Sequence, residues 1–481
     1  MRRRPVLIRG APEAPQLQWQ WQQLVEALPL LEDVRLRDAG AGGVFTLRGE
    51  RDRGGMLEDP SPDATASVPA VATRRFLETA ADPSLFLYWT KDAEVLDGSP
   101  LALRAADGGA ASNATEAAWR RWAVKEVQLE RDDFGGAAID ELIMPMLWLS
   151  QPGVVAQAHY DKSHNFVTQV LGNKRWLIFP PFQHFRLYQY PHLHPSYKQS
   201  QVDFAAPDLK RFPSFRGAQA LEAEVGPGDV LYMPPYWFHR VETTEMSLSL
   251  SVVSPSEEEL VLSEAYWKDM PLGSLEGKTE RTLGARRYLL EVLARLRGVK
   301  SPRWFADRLY EQRYAALFPE ASLLMQEKLA AFDCHLAETD PLTGARLEST
   351  VRNSLPREEL EATADFVAEC ANDDVIPPAV REQWAQSYVE EIARWARGDP
   401  EEAVLFIRKC LSDDEHVKVP EQVEWVEGPE VIKIGENAME GDWIEPAERR
   451  RLERRKRARE RAKAGKQKPG QQKPKKKHAE L

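Results

Sequence analysis

The chain has 481 residues, 43% of them apolar and 29% charged, an ordinary soluble composition with room for two or three domains. No apolar run reaches membrane-spanning length. The three cysteines, Cys334, Cys370 and Cys410, are widely spaced, which argues against a disulfide framework or a zinc ribbon and for a reducing compartment.

Taken in order, 5–10 reads as a short strand, and Trp21, Leu24, Val25 and Leu28 follow the i, i+3, i+4, i+7 stripe of a helix. Residues 34–36 and 44–47 read as short strands around a Gly-rich turn, and 49–69 as a surface loop. A helix over 75–80 and an aromatic strand at 86–89 follow. From about 143 to 255 the period becomes two. Residues 165–171 and 175–179 flank Gly172-Asn173, which predicts a hairpin. The turn at 226–229 feeds a strand at 230–233, and Ser alternates with apolar residues from 247 to 251. Many short strands with such turns predict a sandwich or barrel.

After about 256 the period turns helical. Leu289, Val292, Leu293 and Leu296 make one stripe, and Tyr388, Ile392 and Trp395 another. Gly398 ends that helix, and Asp399, Pro400 and Glu402 open the next as N-cap, first-turn proline and capping-box partner. The expected organisation is an N-terminal supporting region over 1–140, a barrel over 141–256, a helical region over 257–415, a linker over 416–445 and a basic disordered tail over 446–481. From Glu448 onward 16 Lys and Arg face 4 Asp and Glu; of the chain's totals of 64 and 75 this leaves 48 against 71 ahead of it. The aromatic-free tail suits nuclear import or non-specific nucleic-acid contact, or is simply a solvated extension. With no apolar signal core behind residues 1–5, the expected location is cytoplasmic, nuclear or both.

With no paired cysteines expected, a metal would have to be held by histidine and carboxylate. His159 and Asp161 are two residues apart, so on a strand they project from one face. His239 arrives about 80 residues later, after a Gly-Asp turn and a short strand. Two imidazoles and one carboxylate with open positions are the facial triad of Fe(II) oxygenases. Alone, a His-x-Asp pair is more often surface polarity, and Lys174 alone reads as an exposed hairpin lysine. Pointed inward, Lys174 would instead neutralise the far carboxylate of a 2-oxoglutarate co-substrate. Asn165, sharing parity with the ligand pair, would donate to the same molecule. His192-x-His194 is a competing pair, but its two flanking prolines favour a loop over the mouth.

The stretch 157–253 resembles the JmjC/cupin-type 2-oxoglutarate oxygenases, and within them most closely the asparaginyl hydroxylases. The segments that carry this are His159-Tyr160-Asp161, Asn165-Phe166, Gly172-Asn173-Lys174-Arg175, Phe179-Pro180-Pro181, Gln199-Ser200-Gln201-Val202-Asp203-Phe204, Arg211-Phe212-Pro213, Val225-Gly226-Pro227-Gly228-Asp229 and Tyr236-Trp237-Phe238-His239. The resemblance implies a mainly β fold, a double-stranded β-helix (jelly-roll) with flanking helices and a helical C-terminal region. It implies iron on His159, Asp161 and His239, and 2-oxoglutarate on Lys174, Asn165 and Tyr88. Gln199, beside Lys198, falls where the hydroxylase grips its target amide. Lys198 stands in place of an Arg, Ala156 of a co-substrate Thr, and Ser251 and Val253 of an Asn and a Trp.

The expected activity is therefore Fe(II)- and 2-oxoglutarate-dependent hydroxylation, with O2, of an amino-acid side chain such as Asn in a protein substrate. The alternatives are histone N-methyl-lysine demethylation and RNA modification by the same chemistry, or a catalytically silent binding module. A homodimer through the helices after the barrel is also expected from the resemblance.

Overall fold

Period-2 alternation across the middle of the chain becomes two facing sheets in the computed structural model. It describes residues 3–10, 19–38, 43–45, 65–82, 84–96, 99, 101, 144–268, 270–318, 323–334 and 357–411. All of these but Arg3 belong to one unit, Arg4–Ile432. The strands are β1 (Val6–Ile8), β2 (Leu30–Asp38), β3 (Val44–Phe45), β4 (Thr65–Ala72), β5 (Leu85–Asp92), β6 (Met144–Ser150) and β7 (Val155–Tyr160). They continue with β8 (His164–Leu171), β9 (Lys174–Phe179), β10 (Leu221–Val225), β11 (Val230–Met233), β12 (Phe238–Thr243) and β13 (Ser247–Ser254).

Among the described residues the larger sheet runs β1-β11-β8-β13-β6-β5-β2-β4, and the smaller β10-β9-β12-β7-β3. From β6 to β9 the chain alternates between the sheets, and it does so again from β10 to β13. This back-and-forth winding is the double-stranded β-helix expected from the sequence. Three apolar layers follow from the alternation of side chains across each strand. Val167, Trp176, Ile178, Val225, Leu231 and Met233 close the interior between the sheets. The outer face of the larger sheet packs on α1 (Trp21–Ala27) and α2 (Thr73–Glu78) through Leu24, Phe76 and Leu250.

The outer face of the smaller sheet, through Tyr160, Phe179 and Phe238, shares one core with the C-terminal helices. These are α3 (Glu257–Trp267), α4 (Lys278–Arg295), α5 (Pro302–Leu309), α6 (Leu323–Ala331), α7 (Arg357–Ala371), α8 (Pro378–Arg397) and α9 (Pro400–Cys410). Leu289, Val292 and Leu293 lie in that core, facing the chain's own helices. Gly398 ends α8 with φ 79°, and the Asp399 carboxylate accepts from the amides of Glu401 and Glu402 to start α9, as predicted for Gly398 and Asp399. The Glu402 carboxylate, expected as capping-box partner, instead accepts from Lys278 and Arg397.

Four expectations change. The segment 172–173 is no hairpin, because β8 and β9 lie in different sheets. Gly172 turns a corner at φ +65°, where a Cβ would stand 1.9 Å from the Met246 carbonyl oxygen. Residues 65–69, read as loop, open β4, which pairs along β2; the Pro in it lies on a sheet edge, where no donor is needed. Asn165 is not on the ligand strand but on β8, across the turn after Asp161. Cys334 and Cys410 form a disulfide, with Cα atoms 5.6 Å apart. They are 76 residues apart in sequence, so only the packing of the segment after α6 brings them together. The argument for a reducing compartment from unpaired cysteines therefore falls; Cys370 stays free and buried. Residues 46–64, 102–143 and 412–481, including the linker and basic tail, lie outside the described residues.

Candidate active site

The end of β7 and the start of β12 lie side by side, with His159 opposite His239 in the antiparallel register. Their rings stand 4.3 Å apart between centroids. Asp161 follows β7 by one residue, its carbonyl held by the Tyr236 amide at 2.7 Å, and its Oδ2 lies 3.8 Å from His239 Nε2. One ligand atom from each residue falls within 4.8 Å of the others, and among the described residues no other group of three such side chains does this.

Each imidazole is aimed from behind. His159 Nδ1 meets the Gln157 carbonyl at 2.7 Å and His239 Nδ1 the Trp237 carbonyl at 3.1 Å. A carbonyl only accepts, so each ring keeps its proton on Nδ1 and turns a lone pair on Nε2 to the centre. Burial and the neighbouring His159 bring His239 down to about 4, against the pull of Asp161, so it is a neutral ligand at ordinary pH. Burial pushes the Asp161 carboxyl up, but His159, His239, Lys198 and the Asn165 amide outweigh it and hold it below its usual value. Two imidazoles and one carboxylate fit a divalent iron and leave other coordination positions open.

Lys174 stands on the same inner wall. On β9 it alternates with Trp176 and Ile178, the residues that face His239. It is 6% exposed, and burial alone brings its ammonium from 10.5 down to about 7. Among the described residues no carboxylate or other acceptor reaches it. A buried cation with no partner calls for an anion. Across the strands Lys174 lies opposite Thr243, whose Oγ1 is 2.8 Å from Ser150 Oγ, and Ser150 lies opposite Tyr88. Tyr88 is buried against Trp148, with ring centroids 6.0 Å apart, and burial pushes its phenol far above its ordinary value. On β8 the Asn165 amide reaches Asp161, while its Oδ1 is buried without a partner. This wall thus carries a cation and hydroxyl groups, donors that suit a small dicarboxylate chelating the metal.

The register places Ala156 opposite Val241, on the His239 side of β12, so no hydroxyl is available there. Ser251 instead accepts from Trp148 Nε1 at 2.7 Å. Sequence reading missed Ser150, Thr243 and Trp176; the last shares parity with Lys174 and was findable from the strand pattern alone. Gln199 is 2% exposed and bridges to His159 through the backbone. Lys198 sits beside it in the left-handed region at φ 69°. His192 and His194 are buried in the loop after β9 and join no metal group. Among the described residues no helix is long and apolar enough to cross a membrane.

A double-stranded β-helix with a His-x-Asp and a distant His at one mouth defines a class, the JmjC/cupin oxygenase superfamily. The chain belongs to the cupin-like domain family, which matches residues 1–270. It is 36% identical over 105 residues to JmjC domain-containing protein D of Dictyostelium discoideum, covering 21% of this chain and 23% of that protein. It is 33% identical over 123 residues to tRNA wybutosine-synthesizing protein 5 of Mus musculus (26% and 33% covered). It is 32% identical over 118 residues to lysine-specific demethylase 8 of Xenopus tropicalis (24% and 26%). Each match spans a third or less of the relative's own length. The solved structure of YcfD, a ribosomal oxygenase from Escherichia coli in complex with cobalt and 2-oxoglutarate, aligns over 55% of this chain and 51% of that one. With 17% identity and a TM-score of 0.25, that likeness carries no argument.

Proposed function

We propose that this chain is an Fe(II)- and 2-oxoglutarate-dependent dioxygenase that hydroxylates an amino-acid side chain of a polypeptide. The observation that carries the reading is Lys174, a buried and unpartnered cation on the wall that also bears the triad. His159, Asp161 and His239 would hold the iron; Lys174 would neutralise the far carboxylate of 2-oxoglutarate, with Tyr88 and Asn165 as its polar contacts. Iron so held supplies the oxidising chemistry, in which 2-oxoglutarate and O2 leave as succinate and CO2 and one oxygen atom enters a C–H bond.

The chain's own part is placement. The backbone carbonyls behind both histidines keep their Nε2 lone pairs inward, and the apolar interior of the barrel keeps bulk water from the co-substrate. Gln199 and Lys198 run beside the ligand strand, Gln199 bridged to His159 through the backbone, and would place the substrate side chain next to the metal.

The test is succinate release by the Fe(II)-loaded protein with candidate peptides, read by peptide mass. A gain of one oxygen supports hydroxylation. Loss of a methyl group with formaldehyde would move the assignment to N-methyl-lysine demethylation, and a modified RNA with unmodified peptides to an RNA oxygenase. No Fe(II)-dependent turnover, coupled or uncoupled, together with no iron binding, overturns the reading.

A further inference from the structure

The loop over residues 188–201 leaves the barrel after β9 and returns alongside β7. Ser200 donates its amide to the Ala158 carbonyl at 2.8 Å, and the Tyr160 amide donates to the Lys198 carbonyl at 3.3 Å. The loop therefore extends the ligand strand, and it carries Lys198 and Gln199 past the metal centre. Its conformation is strained at both ends, with Tyr188 at φ 46° and Lys198 at φ 69°. Such strain persists only where surrounding structure imposes it.

What imposes it lies outside the barrel. The His192 amide donates to Glu390 Oε2 at 2.9 Å. The Gln201 side chain donates to the Arg313 carbonyl at 2.7 Å and to the Gln189 carbonyl at 3.1 Å. Arg313 Nη1 in turn donates to Glu390 Oε2 at 2.6 Å, in a pair 1% and 0% exposed. Arg313 comes from a π-helical turn, Tyr310–Tyr314, and Glu390 from the middle of α8. A π turn is a costly local geometry that recurs where a side chain must be aimed. Here it aims Arg313 at α8 and its carbonyl at the loop.

We propose that Arg313, Glu390 and Gln201 are positioning residues: the C-terminal helices set the loop, and through it Lys198 and Gln199, against the metal-bearing strand. They touch neither metal nor co-substrate, and they act on the selection and placement of the polypeptide substrate. This deepens the oxygenase reading and rests on it for the role of Lys198 and Gln199.

The experiment compares the full-length protein with Glu390→Gln and Gln201→Leu, the second serving if the buried charge left by the first prevents folding. Hydrogen exchange is measured on the Mn(II)- and 2-oxoglutarate-loaded protein. The expected result is exchange at least about tenfold faster over residues 188–201, with β9 and β12 unchanged. Metal affinity, the KM for 2-oxoglutarate and uncoupled succinate release stay within about twofold, while the KM of any peptide turned over by the wild type rises about tenfold or more. Unchanged loop exchange overturns the proposal. So does faster exchange throughout the barrel, which would make the cluster a stability element only. If the wild type releases no succinate and binds no iron, the oxygenase reading fails, while the exchange pattern still decides whether these residues position the loop.

Discussion

Replacing Lys174 by methionine should move stability and co-substrate binding in opposite directions. In the empty protein, burial brings the Lys174 ammonium from 10.5 down to about 7. An unfolded lysine keeps its proton up to about pH 10.4, so between about pH 7 and 10.4 the unfolded state binds more protons and stability rises with pH. At pH 8 the linkage costs the folded protein about 3 kcal/mol. Lys174→Met removes that cost and fills the same space with apolar atoms, so the co-substrate-free variant should melt about 5 °C higher at pH 8. A bound dicarboxylate loses its buried partner, which weakens 2-oxoglutarate by about 3 kcal/mol, roughly a hundredfold or more. Scanning calorimetry of the Mn(II)-loaded proteins at pH 8, with and without 2-oxoglutarate, reads both effects. A variant that melts lower than the wild type while still gaining the same stabilisation from 2-oxoglutarate would refute the reasoning.

The same titration makes 2-oxoglutarate binding take up a proton, so its Kd in the wild type should rise about tenfold per pH unit above about pH 7; a flat profile by titration calorimetry contradicts the buried lysine's role. His159→Ala and Asp161→Ala should each weaken Mn(II) binding by at least about a hundredfold with the melting profile of the metal-free protein retained, measured by electron paramagnetic resonance. Gly172→Ala should lower stability by about 2 kcal/mol or more, because its backbone sits at φ +65° with the Met246 carbonyl where a Cβ would go; a denaturant midpoint equal to wild type would count against the corner. Cys334→Ser should cost about 2–4 kcal/mol by releasing the 76-residue loop, and thiol labelling of the native, unreduced protein should find Cys370 alone after unfolding.

The triad was legible because its signal is local twice over: a two-residue spacing on one strand, and a third histidine just after a Gly-Asp turn. The register then needs only one antiparallel pairing, His159 opposite His239. Lys174 was legible as a candidate but not as a buried one. Its environment is set by Thr243 and Ser150 on strands 69 and 24 residues away in sequence, a relation that period-2 patterning does not encode. Asn165 was assigned by parity along a strand that in fact breaks after Tyr160, and the sheet crossing restores it to the site by another route. The helical stripes predicted helices at 289–296 and 388–395, but not that they share a core with β7 and β12. Arg313 and Glu390 gave no signal at all, since each reads as one more surface charge in a charged helix until the other is placed beside it.

One core spans Tyr160, Phe179 and Phe238 of the smaller sheet and the apolar faces of α4, α7 and α8. Its consequence concerns where this protein can be cut. The family match ends at residue 270, yet a fragment ending there would lay bare an aromatic sheet face beside the very strand that carries His159. The segment the family model matches and the segment that shares this core are therefore different lengths of this chain. The helices supply part of the same core as the barrel's smaller sheet.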